Sequence, residues 1–216
     1  MLRVTGTDQN GVITLFSCPR NRVRYKLLKD EDFEVRVMAV DALAELGAKE
    51  FAPAIAELLK DEGVWARAAG DLRDLGAEEF APRIAELLKD GDSEVRWYVA
   101  DVLGDLGAKE FVPRIAELLK EGDFRVRMDA ASALGLLGAR EFAPEIEELL
   151  TDRDSDVRGM AAIALVELGQ VADVRAQAGK DTQIVKDIQS VMRKGGPLEA
   201  RAKSALKALG VEEEKR

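Results

Sequence analysis

The chain has 216 residues, 47% hydrophobic and 34% charged, with a net charge of −9, one cysteine and no histidine. The missing histidine removes the usual near-neutral acid–base group and the commonest metal ligand, and one cysteine allows neither an internal disulfide nor a thiolate cluster. No apolar run reaches the roughly 18 residues of a membrane span, and the first residues lack the basic-then-apolar order of a signal peptide, so a soluble cytoplasmic protein is expected.

Charge is unevenly spread. Residues 1–29 carry six Lys/Arg against one Asp, residues 30–169 carry 16 against 33, and residues 170–216 carry 10 against 7. An acidic body between basic ends argues against nucleic-acid binding, which rests on a basic footprint.

In chain order, residues 1–24 read as a leader or cap. Its Asn10-Gly11, flanked by alternating apolar residues, suggests a small hairpin, and Cys18 beside Arg20 and Arg22 is read as an incidental thiol rather than a reactive one. A repeat array follows over residues 25–170. Gly47, Gly76, Gly107, Gly138 and Gly169 recur at spacings of 29, 31, 31 and 31, each with Leu one and four positions before it. Such a period predicts stacked supersecondary units that cannot bury their faces alone.

Each unit is predicted to hold two helices. The first carries the phrase that begins "AKEFAPAIAELLKD", with Phe51, Ile55, Leu58 and Leu59 on one side and Pro53 in its opening turn. The second opens 15 residues before the glycine, at Asp32, Asp61, Asp92, Asp123 and Asp154, read as N-cap acids. The glycine supplies the left-handed C′ residue that ends it. The second unit is two residues short, and the deletion is assigned to the loop after Leu59. Asp61 then becomes the N-cap, Trp65 falls where the other units have arginine, and Arg67 moves onto the open face. Residues 171–216 read as a degenerate capping repeat, "TQIVKDIQSVMRK" paired with "PLEARAKSALKALG", followed by a charged tail. The Gly-Gly before Pro197 lacks the spacing of a phosphate loop and reads as a turn.

The phrase "DxxVRxxAAxALGxLG", followed by a Pro-containing first helix, resembles the HEAT-like repeat family in its short, phycobilisome-lyase form. The resemblance implies an all-α fold, a right-handed α-solenoid of about six antiparallel helical hairpins. It also implies that the second helices line the concave surface. The family includes scaffolds, bilin lyases, a DNA-repair branch and an iron-dependent hydroxylase branch. The last is excluded by ligand chemistry, since its His-Glu pairs have no counterpart here, and the acidic body disfavours the DNA-repair branch.

Two constellations stand out. Arg36, Arg96, Arg127 and Arg158 form a row 11 residues before the glycine. They are read as an inter-repeat ladder rather than an anion site, each paired with an acid of the preceding turn: Asp30, Asp90, Glu121 or Asp152. The second helices also expose a stripe at positions −9, −6 and −2 from the glycine. It comprises Met38, Asp41 and Glu45; Arg67, Gly70 and Asp74; Tyr98, Asp101 and Asp105; Asp129, Ser132 and Leu136; then Met160, Ile163 and Glu167, with Trp97 beside Tyr98. Five stacked helices would make this face on the order of 40 Å long.

The expected function is that of a non-enzymatic protein-binding scaffold, with no catalytic, cofactor or metal residues. The partner-binding candidates are Met38, Asp41, Glu45, Arg67, Asp74, Trp97, Tyr98, Asp101, Asp105, Asp129, Met160 and Ile163, aromatic and methionine anchors among carboxylates. The expected partner is a basic or amphipathic protein segment, without nucleic acid or membrane. The chain itself is expected to be a monomer or to self-associate weakly head to tail. The resemblance leaves one enzymatic alternative, a bilin-lyase-type chromophore-handling subunit, beside a self-assembling solenoid.

Overall fold

A computed structural model describes residues 26–61, 63–180 and 182–211. The leader hairpin, Cys18 and the charged tail lie outside these residues. Among the described residues there are twelve α-helices and no strand, and no helix is long and apolar enough to cross a membrane. The chain divides into two compact units, residues 1–84 and 85–216, each built of helical pairs packed in sequence order.

In the first unit α1 is Phe33–Ala44, α2 is Ala52–Glu57 and α3 is Trp65–Asp74. The Pro-containing first helices are short α segments held between 3-10 turns, as with Lys49–Phe51 and Leu58–Lys60 on either side of α2. Helix α4, Ala81–Glu86, leads into the second unit. There α5 is Ser93–Asp105, α6 is Val112–Glu117, α7 is Phe124–Leu137, α8 is Ala143–Glu148 and α9 is Ser155–Glu167. The chain closes with α10, Val171–Lys180, α11, Gln183–Arg193, and α12, Pro197–Leu209.

The predicted punctuation is present. Asp32, Asp92, Asp123 and Asp154 cap α1, α5, α7 and α9, their carboxylates accepting from the N–H two residues on, which satisfies donors the helix cannot use itself. The five repeat glycines have φ between 60° and 90°, and the next residue's N–H donates to the leucine four before the glycine, as Ala139 does to Leu134 at 3.0 Å. That 6→1 bond is a Schellman ending, open to glycine because it has no Cβ to clash at positive φ. The core is the predicted Val/Leu/Ile stripe: Leu43, Leu72, Leu103, Leu134 and Leu165 are at most 2% exposed.

Asp61 corrects one expectation. It does not cap α3, which starts four residues later behind Val64 with no side-chain cap. Its carboxylate accepts instead from the Gly63 N–H at 3.2 Å, the same two-residue turn that Asp90 makes with Asp92 and Asp152 with Asp154. Asp61 is therefore the loop acid of its unit. The two missing residues take away the capping aspartate and the first turn, leaving α3 with 10 residues where α5 has 13 and α7 has 14. Phase survives, since Val64, Ala68, Leu72 and Leu75 are all buried. Trp65, half-buried, opens the helix at the arginine position.

The capping repeat also pairs differently. Helix α11 packs on α9 as one second helix packs on the next, so the sixth pair is α10 with α11, and α12 is an additional helix folded against α9 and α11. The backbone of α11 comes close enough that a Cβ on Gly159 would lie 2.7 Å from the Asp187 carbonyl oxygen.

Candidate functional site

The arginine ladder forms, but it points forward. Each Nη1 donates to the backbone carbonyl of the acid six residues earlier: Arg36 to Asp30, Arg96 to Asp90, Arg127 to Glu121 and Arg158 to Asp152, at 2.7–2.8 Å. The ion pair goes to the next unit instead: Arg36 Nε to Asp61 at 2.7 Å, Arg96 to Glu121 at 3.4 Å, Arg127 to Asp152 at 2.8 Å and Arg158 to Asp187 at 2.7 Å. One guanidinium thus ties its own loop and the following one, a use that suits a planar fork. Trp65, uncharged, contributes no such rung.

The rungs differ in depth. Arg127 and Asp152 are 8% and 9% exposed; burial works to raise the Asp152 carboxyl pKa, and the Arg127 fork with the Asp154 N–H overcomes it, holding it below the usual range. Asp187 is 2% exposed, and its hydrogen bond raises the Arg158 guanidinium further, against the opposing effect of burial. Arg67 bridges back to Asp41 on α1 at 2.9 Å, not to a loop acid, so Trp65 and not Arg67 holds the ladder position.

The candidate face divides into three parts. In the first unit Met38 is 69% exposed, Glu45 and Asp74 are exposed, and Asp41 is half-buried; Arg73 Nε lies 3.0 Å from Asp74. In the second unit Trp97, Tyr98, Asp101 and Asp129 are half-buried and Asp105 is exposed. The Trp97 and Tyr98 rings meet edge to face, centroids 5.7 Å apart, and Leu136 is 43% exposed.

The third part corrects the sequence reading. Met160 and Ile163 are 0% exposed, so they are core and not partner anchors. Helix α12 lies against α9, and Arg201 donates from Nη1 to Ser132 Oγ at 2.6 Å and from Nε and Nη2 to Glu167 at 2.7 and 2.8 Å. The basic helix thus seats an arginine between a −6 residue of α7 and a −2 residue of α9.

Two carboxylates are electrostatically unsettled. Asp129 is pushed up to about 7 by burial and then by Asp101, with Lys194 and Arg125 opposing. Asp71, 6% exposed, is pushed up to about 6 by burial and then by Asp41 and Asp74, against Arg67 and Arg73. Its Oδ2 is buried and has no hydrogen-bond partner among the described residues. A carboxyl with a raised folded pKa stabilises the fold below its unfolded pKa and loses that benefit as pH rises through the folded value. Asp129→Asn should therefore raise stability by about 1–2 kcal/mol at pH 8 and by far less at pH 5, after discounting for solvent screening. Thermal melts at the two pH values read the difference, and an equal gain at both would contradict the assignment.

Sequence reasoning missed Asp71, Asp187 and Arg201. Asp71 carried a legible signal: it stands five before its glycine, where later units have Val102, Ala133 and Ala164, each 0% exposed. Asp187 and Arg201 carried none, because their partners depend on how the last three helices fold back. Among the described residues no group of His, Cys, Asp or Glu is arranged to hold a metal ion.

Comparison with known proteins agrees with the fold. Residues 80–166 match HEAT repeats, and residues 35–61 match the PBS lyase HEAT-like repeat. No curated protein sequence matches. Among solved structures, the complex of CpcE and CpcF of phycocyanin lyase from Nostoc sp. superposes with a TM-score of 0.62 at 18% identity, over 95% of this chain and 100% of the other. An engineered protein gives 0.52 at 21% identity, over 89% and 97%. A designed armadillo repeat protein gives 0.51 at 18% identity, over 87% and 98%. These likenesses carry the fold, an all-α repeat solenoid. The two sequence matches place HEAT repeats at residues 80–166 of the chain and a repeat of the PBS lyase HEAT-like kind at residues 35–61.

Proposed function

We propose that this chain works by binding another protein through the exposed face of its second helices. The observation that carries the reading is the contrast between α9 and α5–α7. On α9, and at Ser132 of α7, the stripe is covered by a helix of the chain itself, anchored by Arg201 on the Glu167 carboxylate and the Ser132 hydroxyl. On α5 and α7 the same positions leave Tyr98, Asp101, Asp105 and Leu136 accessible, an aromatic and an aliphatic anchor among acids. Charge complementarity would steer a basic segment onto this face. That the similar chain was solved within a complex of CpcE and CpcF supports a protein as the partner.

The test is a complex with a partner purified from the native source. Asp101→Lys combined with Tyr98→Ala should weaken it at least tenfold, and raised salt should do the same. A complex indifferent to both changes contradicts the reading.

The likeness to phycocyanin lyase chains favours a second, more specific reading, and favours it more directly than it does a plain scaffold: the bound protein is an acceptor for a bilin. The cleft of about 320 Å³ in the second unit has Leu88 and Leu118 in its walls, but also Lys89, Arg96 and Arg114 facing Asp90, Glu117 and Glu121. Those charges suit propionates better than a tetrapyrrole ring. Mixing the protein with a bilin and acceptor apoprotein should shift the visible absorbance if this reading holds; an unchanged spectrum removes it.

A further inference from the structure

We propose that Asp41, Asp71 and Asp74, on α1 and α3, receive the guanidinium of an arginine-bearing helix of the partner, as Ser132 and Glu167 receive Arg201 of α12. The inference rests on the binding reading above and names the group recognised and its place.

The repeat register supplies the first argument. Arg201 sits between the −6 residue of α7, Ser132, and the −2 residue of the following second helix, Glu167. In α1 and α3 those two positions are Asp41 and Asp74. The fold therefore presents at a second place the pair of positions on which it already seats an arginine, and here both are carboxylates. Such pairs accept a planar fork through two parallel hydrogen bonds.

Asp71 is the second argument, independent of the first. It lies at a seam position that the later units fill with Val102, Ala133 or Ala164, all fully buried. A carboxylate there costs free energy unless it is paired. At 6% exposure it keeps an Oδ2 with no hydrogen-bond donor among the described residues, between Asp41 on the neighbouring helix and Asp74 one turn on. Among the described residues, Arg67 pairs with Asp41 and Arg73 with Asp74. With Glu45 also on this face, four acids stand beside two arginines among the described residues. Burial first, and then the neighbouring acids, push Asp71 up to about 6, and an incoming guanidinium would bring it down. Beside the acids, Met38 is 69% exposed, an adaptable apolar contact for the stem of a helix.

The probe is a fluorescent synthetic peptide of residues 197–210, the α12 sequence, added to the full-length chain. Because an isolated helix of this length is marginal in water, the informative quantities are affinity ratios. The peptide should bind, and Arg201→Gln in the peptide should weaken it at least tenfold. In the protein, Asp41→Asn or Asp74→Asn should do the same, while Glu110→Gln, exposed outside the second-helix face, should change it by less than twofold. In parallel, carboxyl NMR should show the Asp71 pKa falling by a unit or more in the complex. No binding, indifference to the peptide arginine, or an unmoved Asp71 would overturn the proposal. Loss with Asp101→Asn but not with the α1–α3 variants would also overturn it, yet leave the broader binding reading standing. Circular dichroism melts confirm that each variant is folded.

Discussion

Arg158→Leu is expected to destabilise the fold by about 3–5 kcal/mol, the usual cost of removing one partner from a buried ion pair. The reason is Asp187, only 2% exposed. It accepts from Arg158 Nε at 2.7 Å and Nη2 at 3.2 Å, and without them keeps, among the described residues, the Gln183 amide at 2.9 Å. Arg158 also holds the Asp152 and Arg153 carbonyls, so the loop before α9 loosens with it. Arg96→Leu is the internal control. Its pair to Glu121 is 3.4 Å long and Glu121 is 36% exposed, so the ion pair should account for about 1 kcal/mol or less. Urea denaturation reads both. Asp187→Leu added to Arg158→Leu should recover much of the loss, since no charge is then stranded. Equal costs for Arg96 and Arg158 would refute the ordering of the rungs.

Gly159→Ala is expected to cost about 2 kcal/mol although alanine is the better helix former. The added Cβ would meet the Asp187 oxygen at 2.7 Å, its carbonyl carbon at 2.8 Å and Val191 Cγ2 at 2.9 Å. Two of these are backbone atoms of α11, which cannot turn aside as a side chain can. Relief requires α11 to shift, and that lengthens the Arg158–Asp187 bond; the two substitutions should therefore be non-additive. Gly179→Ala, in α10 with nothing within 4 Å of the new methyl, should instead stabilise by about 0.5–1 kcal/mol. Thermal melts compare them, and a neutral Gly159→Ala would mean that α11 does not pack so closely on α9.

Much of the fold was legible because the repeat writes each structural need into a residue type at a fixed offset. The capping aspartates, the left-handed glycines and the leucines four before them stand where the period placed them. Asp61 was misassigned because a deletion moves the loop acid onto the offset of the missing cap; spacing cannot tell two aspartates apart. Helix α12 misled for a related reason. Leu206, Leu209 and Gly210 copy the ending of a second helix, and Leu206 and Leu209 are indeed buried. Yet the surface against which they are buried is set by the return of the chain over α9, and local periodicity holds no record of that. Met160 and Ile163 were placed on the open stripe for lack of the same information. Asp71 was readable, an acid in a column of alanine and valine, once the −5 positions are compared as a column.

The binding of a partner through the second-helix face is tested most directly by the affinity of the purified complex, measured by titration calorimetry at about 50 mM and about 500 mM salt for the wild-type chain and for Asp101→Lys with Tyr98→Ala. The expected result is at least a tenfold weakening from salt alone and a further tenfold from the double substitution, with a cooperative thermal melt showing that the variant is folded. An affinity that moves with neither would place the partner on another surface and contradict the role assigned to this face.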